Sequence, residues 1–258
     1  MKMIYYCLLM CLLFLPISVS AQKADSLKPF PPLPQYTCNY TAEQIIIDGM
    51  PDEKVWQTAP FTEPFVNMVD GKEMKYMTRA KMLWDDTNFY VSFIIEEEDI
   101  RGILTGRDSF VWYDNDVEIF FDPDGNAQDY LEYEMNALNT VYDIHWNKVL
   151  WRDSAAVWDI GWNFTGLLNA VQYQGTLNNP QDIDKSWTVE LAFPWISFVQ
   201  YANMPLPPKV GDKWRIDFYR AEYTDRRNKD CTHYSWSVHG KVNMHMPERF
   251  GVVTFMKK

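Results

Sequence analysis

The sequence predicts an all-β protein, an antiparallel β-sandwich of jelly-roll type that contains only short helical turns. Three observations carry that expectation. Apolar runs of strand length recur at close spacing, turn chemistry rich in Asp, Gly, Asn and Pro separates them, and no stretch keeps a helical period for long.

From the N-terminus, Lys2 gives a positive start, residues 4–17 are almost unbroken apolar, and Val19-Ser20-Ala21 offers small residues for cleavage. That order reads as a secretory signal peptide over 1–21, which predicts a secreted or periplasmic protein. The apolar run of about 14 residues is shorter than the ~20 that span a bilayer, so no membrane span is expected. Residues 22–40 form a linker or N-terminal extension, with four prolines between Gln22 and Tyr36 and no periodic pattern. One domain is expected over 41–258.

Within it, residues 45–47 (Ile-Ile-Ile) precede the turn Asp48-Gly49, and 52–59 suits a short helical turn. Residues 80–83 and 89–95 flank Trp84-Asp85-Asp86-Thr87-Asn88, a hairpin signal. Residues 116–121 and 130–137 flank Asp122-Pro123-Asp124-Gly125-Asn126, a second one. Strands follow at 141–146, 187–193, 214–223, 233–238 and 250–255, with a helical turn at 194–199.

Composition narrows the function. The chain carries a net charge of −11, which argues against nucleic acid or an anionic membrane surface as partner. Eleven tryptophans, fifteen tyrosines and fifteen phenylalanines build a core, and they also suit flat platforms against which a sugar ring packs. Cys38 and Cys231 remain after signal removal. In an oxidising compartment they allow a single disulfide, the alternative being two separate thiols.

Alternation in the second hairpin locates a candidate site. Val117, Ile119 and Phe121 share one face, and Asp116 and Glu118 the other. Tyr133 and Met135 turn inward, while Glu132, Glu134 and Asn136 turn outward. Carboxylates from paired strands would crowd one face, and like charges across a ladder repel. Arg215, Arg220, a cation or a ligand is therefore expected to offset them. Trp112 lies just before this strand, so a ring and polar groups that take hydroxyls would be neighbours. Asp122, Asp124, Asn126 and Asp129 could gather oxygens for calcium, although their spacing departs from an EF-hand and suits an ordinary turn. The run Glu96-Glu97-Glu98-Asp99 reads as solvated.

Several motifs then resemble the family 9 carbohydrate-binding modules. They are Asp48-Gly49 with Pro51-Asp52-Glu53 and Trp56; Lys81-Met82-Leu83-Trp84-Asp85 leading into Phe89-Tyr90-Val91; Trp112 with Asp116-Val117-Glu118-Ile119-Phe120; Trp187-Thr188-Val189-Glu190 with Pro194-Trp195; and the closing Arg249-Phe250-Gly251. The resemblance implies a β-sandwich that binds an oligo- or polysaccharide beside a polysaccharide-degrading enzyme, such as a separate glycoside hydrolase. It implies that Trp112 is one wall of an aromatic clamp and that Glu118 and Asn136 hold sugar hydroxyls. It makes a structural calcium an expectation, with no cofactor required for binding.

Two departures stand out against that pattern. Glu134 occupies the place of an expected arginine, and Asn243-Met244-His245-Met246 replaces a second clamp tryptophan, so a one-walled site containing Met244 and His245 is expected. Three rival readings are weighed beside it, the blandest being a surface or scaffold protein whose aromatic, acidic face binds another protein. A glycosidase would use two carboxylates, but nothing here singles out a pair, and no G-x-S-x-G, P-loop or H-E-x-x-H motif occurs. A haem-binding sandwich would draw axial ligands from His145, His233, His239, His245, Met244 or Met246, without a C-x-x-C-H attachment motif.

Overall fold

The computed structural model describes residues 30–224 and 230–257. The expected signal peptide and the start of the proline-rich extension lie outside them. Among the described residues thirteen strands run in chain order: β1 (Gln35–Tyr40), β2 (Val66–Asn67), β3 (Thr78–Trp84), β4 (Asn88–Glu96), β5 (Asp116–Asp122), β6 (Tyr130–Asn136), β7 (Val141–Trp146), β8 (Trp158–Asp159), β9 (Leu168–Gln174), β10 (Ser186–Pro194), β11 (Lys213–Tyr223), β12 (Cys231–Ser235) and β13 (Gly251–Met256). Single 3₁₀ turns at Lys54–Gln57 and Trp195–Phe198 fall where the sequence predicts helical turns. No described helix is long and apolar enough to cross a membrane.

The strands join edge to edge in the order β8-β7-β6-β5-β11-β13-β1-β3-β4-β10-β9, with β12 alongside β11 and β2. This curled sheet doubles back on itself as two layers around one apolar core. The alternation read from the sequence supplies the β5 and β6 side of it: Val117, Ile119, Phe121, Tyr133 and Met135 are all fully buried there. Aromatic rings lock the layers together edge to face. Phe121 meets Phe193 at 5.1 Å, Tyr133 meets Phe193 at 5.3 Å, and Phe89 meets Phe121 at 6.0 Å.

Two features correct the sequence reading. The extension is not all linker, because Gln35–Tyr40 forms β1, which runs parallel to both β13 and β3 and makes the sheet mixed. Cys38 and Cys231 are free thiols rather than a disulfide. Cys38 points into the shared core from β1, whereas Cys231 opens β12 on the opposite face of the other layer, so a layer of side chains separates them.

The motif around Asp48, Trp56 and Glu190 is structural. Glu190 is wholly buried on β10, where its carboxylate accepts the Trp56 indole N–H at 2.9 Å and the backbone N–H groups of Gly49 and Asp48 at 3.0 and 3.2 Å. One side chain thus pins the N-terminal loop across the outside of the sheet. Gly49 sits at φ +91°, and a β-carbon there would lie 2.7 Å from the Val171 backbone. Gly49→Ala should therefore lower stability by about 1–3 kcal/mol, read as a lower denaturant midpoint at unchanged slope. An unaltered midpoint would show that the loop adapts freely.

Candidate functional site

The strand faces that do not enter the core build a cleft. On β5 these are Asp116, Glu118 and Phe120; on β6, Tyr130, Glu132, Glu134 and Asn136; on β7, Tyr142, Ile144 and Trp146. The β5–β6 register sets Glu118 directly across from Glu134 and Phe120 across from Glu132. The crowding of carboxylates follows the alternation in the sequence. Their burial does not: Glu118, Glu132 and Glu134 are 2%, 4% and 3% exposed, because loops and aromatic rings rise around them.

The cleft has a volume of about 530 Å³, and Trp112, Glu118, Glu134, Met244 and His245 all line it. Five of the seven predicted binding residues therefore meet in one place. Asp116 and Asn136 do not line it. Asp116 accepts the Ala221 backbone N–H at 3.0 Å. Asn136 donates to the Leu104 carbonyl at 2.8 Å and to Asp114 at 2.9 Å, and its own carbonyl accepts the N–H groups of Leu138 and Thr140. Asn136 thereby anchors the loop that carries Trp112.

Trp112 sits on the 3₁₀ turn Val111–Tyr113, and its carbonyl accepts the Tyr223 hydroxyl at 2.8 Å. Its ring stacks on Phe110 at 4.5 Å and meets the edge of Tyr142 at 5.2 Å. Further rings line the cleft that the sequence reading missed: Trp146, Trp151 and Trp158. Trp151 stands edge-on to His245 at 5.3 Å, beside the segment where a second tryptophan is lacking. The expectation of a one-walled site is thus corrected, since the β7–β8 connection supplies the additional aromatic side. Tyr142 and Trp146 lie four residues apart on β7, about 13 Å at ~3.3 Å per residue, so the aromatic groups bracket an elongated floor. Two signals mark Trp151: 76% exposure and a backbone φ of +61°, a conformation that bulky residues rarely hold. Arg152 anchors this connection through an ion pair with Glu248.

The carboxylates are not offset by the expected arginines. Arg215 donates to the Phe250 carbonyl at 3.0 Å. Arg220 is fully buried and pairs with Glu97 at 2.8 Å and with Glu222, so Glu97 is a buried partner rather than part of a solvated run. Glu132 accepts the Trp146 indole N–H at 2.6 Å. Glu118 Oε1 and Glu134 Oε2 have no hydrogen-bond partner among the described residues. Burial, and then the neighbouring acids, push Glu118 and Glu134 well above the usual carboxylate range. Burial raises Glu132 to about 6 against the pull of hydrogen bonds from Glu134 and Trp146. His245 is lowered by burial to about 3 and stays neutral, its Nδ1 within 2.8 Å of the Tyr130 hydroxyl.

The loop proposed for calcium is a turn whose oxygens are occupied. Asp122 accepts the N–H groups of Gly125 and Ala127, both at 3.0 Å, Asp124 that of Asn126 at 3.1 Å, and Asn126 that of Gln128 at 2.6 Å. Asp129 faces His145 at 3.2 Å. Of the histidines weighed as haem ligands, His239 is held between Asp217 and the Asn243 carbonyl. Among the described residues no group of three or more His, Cys, Asp or Glu side chains is placed to hold a metal ion.

The model of a family described as "Carbohydrate family 9 binding domain-like" matches residues 47–258. No curated protein is similar enough in sequence to match. Among solved structures, a Bacteroides uniformis protein named for carbohydrate binding is 17% identical, with a TM-score of 0.64 over 87% of this chain and 100% of its own. A family 9 carbohydrate-binding module from Caldicellulosiruptor kristjanssonii in complex with cellotriose is 16% identical, with a TM-score of 0.58 over 87% of this chain and 94% of its own. The same organism's module in complex with glucose is 17% identical, with a TM-score of 0.56 over 87% and 96%. At these identities the likeness is one of fold.

The buried acids make stability depend on pH. Below about pH 4 the carboxyls are protonated in both the folded and the unfolded chain, and the folded state bears no penalty from them. As pH rises, the unfolded carboxyls ionise while Glu118 and Glu134 are held protonated, so their contribution falls by up to about 1.4 kcal/mol per pH unit and per group. Glu134→Gln should match the parent at low pH and gain in relative thermal stability toward neutrality. Parallel melting curves for the two proteins between about pH 4 and 8 would refute this.

Proposed function

Because the chain belongs to the Carbohydrate family 9 binding domain-like family, we propose that it is a non-catalytic glycan-binding protein whose ligand lies in the cleft between Trp112 and the β7–β8 connection. The observation that carries this reading is the meeting of Trp112, Trp151 and Trp158 with Glu118, Glu132 and Glu134 in one cleft. Indole faces suit the C–H surface of a pyranose, and carboxyl oxygens suit its hydroxyls. In this reading Trp112 stacks on a sugar ring, Glu118 takes hydroxyls, and Asn136 keeps Trp112 in place through Leu104 and Asp114.

The elongated floor favours a short oligosaccharide over a single sugar, and the cellotriose and glucose complexes of the Caldicellulosiruptor modules support a ligand of that class. The apolar N-terminus with its small-residue cleavage site supports export to the periplasm or beyond, where polysaccharides are met. There the protein works beside a glycoside hydrolase and supplies binding rather than bond cleavage.

Calorimetric titration of the protein with cellotriose and other soluble oligosaccharides tests this. Saturable binding should weaken by about tenfold or more, ~1.4 kcal/mol, in Trp112→Ala. Trp151→Ala should weaken it as well, since the second aromatic side comes from that loop. No heat with any oligosaccharide, or binding indifferent to both substitutions, would overturn the reading.

A further inference from the structure

Deepening the glycan-binding reading above, and resting on it, we propose that the preferred ligand carries protonated amines: an oligosaccharide of unacetylated amino sugars, with an ammonium seated between Glu118 and Glu134. The first reason is the pair of orphaned oxygens. Glu118 Oε1 and Glu134 Oε2 belong to side chains that are 2% and 3% exposed, both line the cleft, and neither oxygen has a partner among the described residues. A buried polar atom without a partner is costly, and most are satisfied in native proteins.

The second reason is charge. Three glutamates share the cleft, yet no lysine or arginine among the described residues lines it. Two nearby described guanidinium groups are engaged elsewhere, Arg220 with Glu97 and Glu222 and Arg152 with Glu248. A sugar hydroxyl could satisfy a lone pair but would leave the acids unable to ionise. An ammonium brings three donors and the positive charge that lets a buried carboxyl ionise. The indoles of Trp112, Trp146 and Trp151 around the acids add favourable cation–π faces.

Binding then moves a proton. Burial holds Glu118 and Glu134 protonated in the free protein, with Asp116 and Glu132 as the other acids beside them. The remaining titratable neighbours stay neutral: Tyr142, Tyr219, Tyr223 and Cys231 are pushed up by burial, and His233 and His245 are pushed down. An arriving ammonium favours the carboxylate, so a glutamic acid O–H gives its proton to the buffer as the ion pair forms. A neutral sugar causes no such release.

The experiment is titration calorimetry with three oligosaccharides of equal length: β-1,4-linked glucosamine, its N-acetylated counterpart and cello-oligosaccharide. Each is measured in two buffers of different ionisation heat, with and without added salt. The glucosamine oligomer should bind about tenfold or more tightly than the neutral ones, release protons and weaken in salt. Glu134→Gln, shown by its thermal transition to be folded, should lose that preference, so that whatever binding remains no longer distinguishes the amine from the neutral sugars. Equal or tighter Trp112-dependent binding of the neutral sugars by the parent protein overturns the amine and leaves glycan binding standing. No binding of any of the three overturns both. A preference that persists in Glu134→Gln and in Glu118→Gln also overturns the proposal, because the charge is then sensed elsewhere.

Discussion

Strands β5 and β6 meet in a register that places Glu118 against Glu134, an arrangement that two carboxylates would not choose for themselves. On the other side of the same two strands, Val117 lies across from Met135, Ile119 from Tyr133 and Phe121 from Leu131, all buried in the shared core. Side chains alternate with a period of two, so a slip of one residue would bring the glutamates into that core and expose the apolar set. The apolar side thus holds the acids together against their repulsion. The hydrogen bond between Glu132 and Glu134 relieves part of it by sharing a proton.

The protein keeps its compensated and uncompensated charge apart. Arg220 on β11 donates to Thr78 and to the Glu96 carbonyl in the opposite layer as well as to Glu97 and Glu222, tying the two layers at one end. Asn115, just ahead of β5, donates to the same Glu97 and Glu222. That network is closed upon itself. The acids of the cleft begin a few residues along β5, and no lysine or arginine among the described residues lines the cleft with them. A chain with a net charge of −11 has few cations to spread, and their positions decide which acids stay open to a ligand.

Much of this was legible in the sequence, for reasons that particular elements make plain. The hairpins β3–β4 and β5–β6 follow from alternation and from turns rich in Asp and Asn, and β7, β10, β11 and β13 match apolar runs within a residue or two. Residues 45–47 look like a strand but form none; Ile45 and Ile47 pack in the outer cluster with Trp56 while Ile46 is exposed. Strand β1 hides behind prolines, and its parallel pairing depends on chain ends that no local pattern links. In the site, the strand residues were readable and the loop residues were not. Trp112 and Glu118 follow from spacing along β5, whereas Trp151 reaches the cleft only through the path of a loop and its contact with His245. Asn136 has the right strand and face, but its hydrogen bonds point to a neighbouring loop that periodicity does not describe.

The origin of the second aromatic side has an evolutionary consequence. Trp151 rides on a connection that joins neighbouring strands β7 and β8 and contributes nothing to the shared core. Doubling the length of such a loop changes its closure entropy by only about 0.6 kcal/mol. A lineage can therefore lengthen, shorten or replace this arm, and so redraw the span between its rings, while the sandwich and its acidic floor are inherited intact. Ligand choice and foldability become separately mutable traits within one small domain.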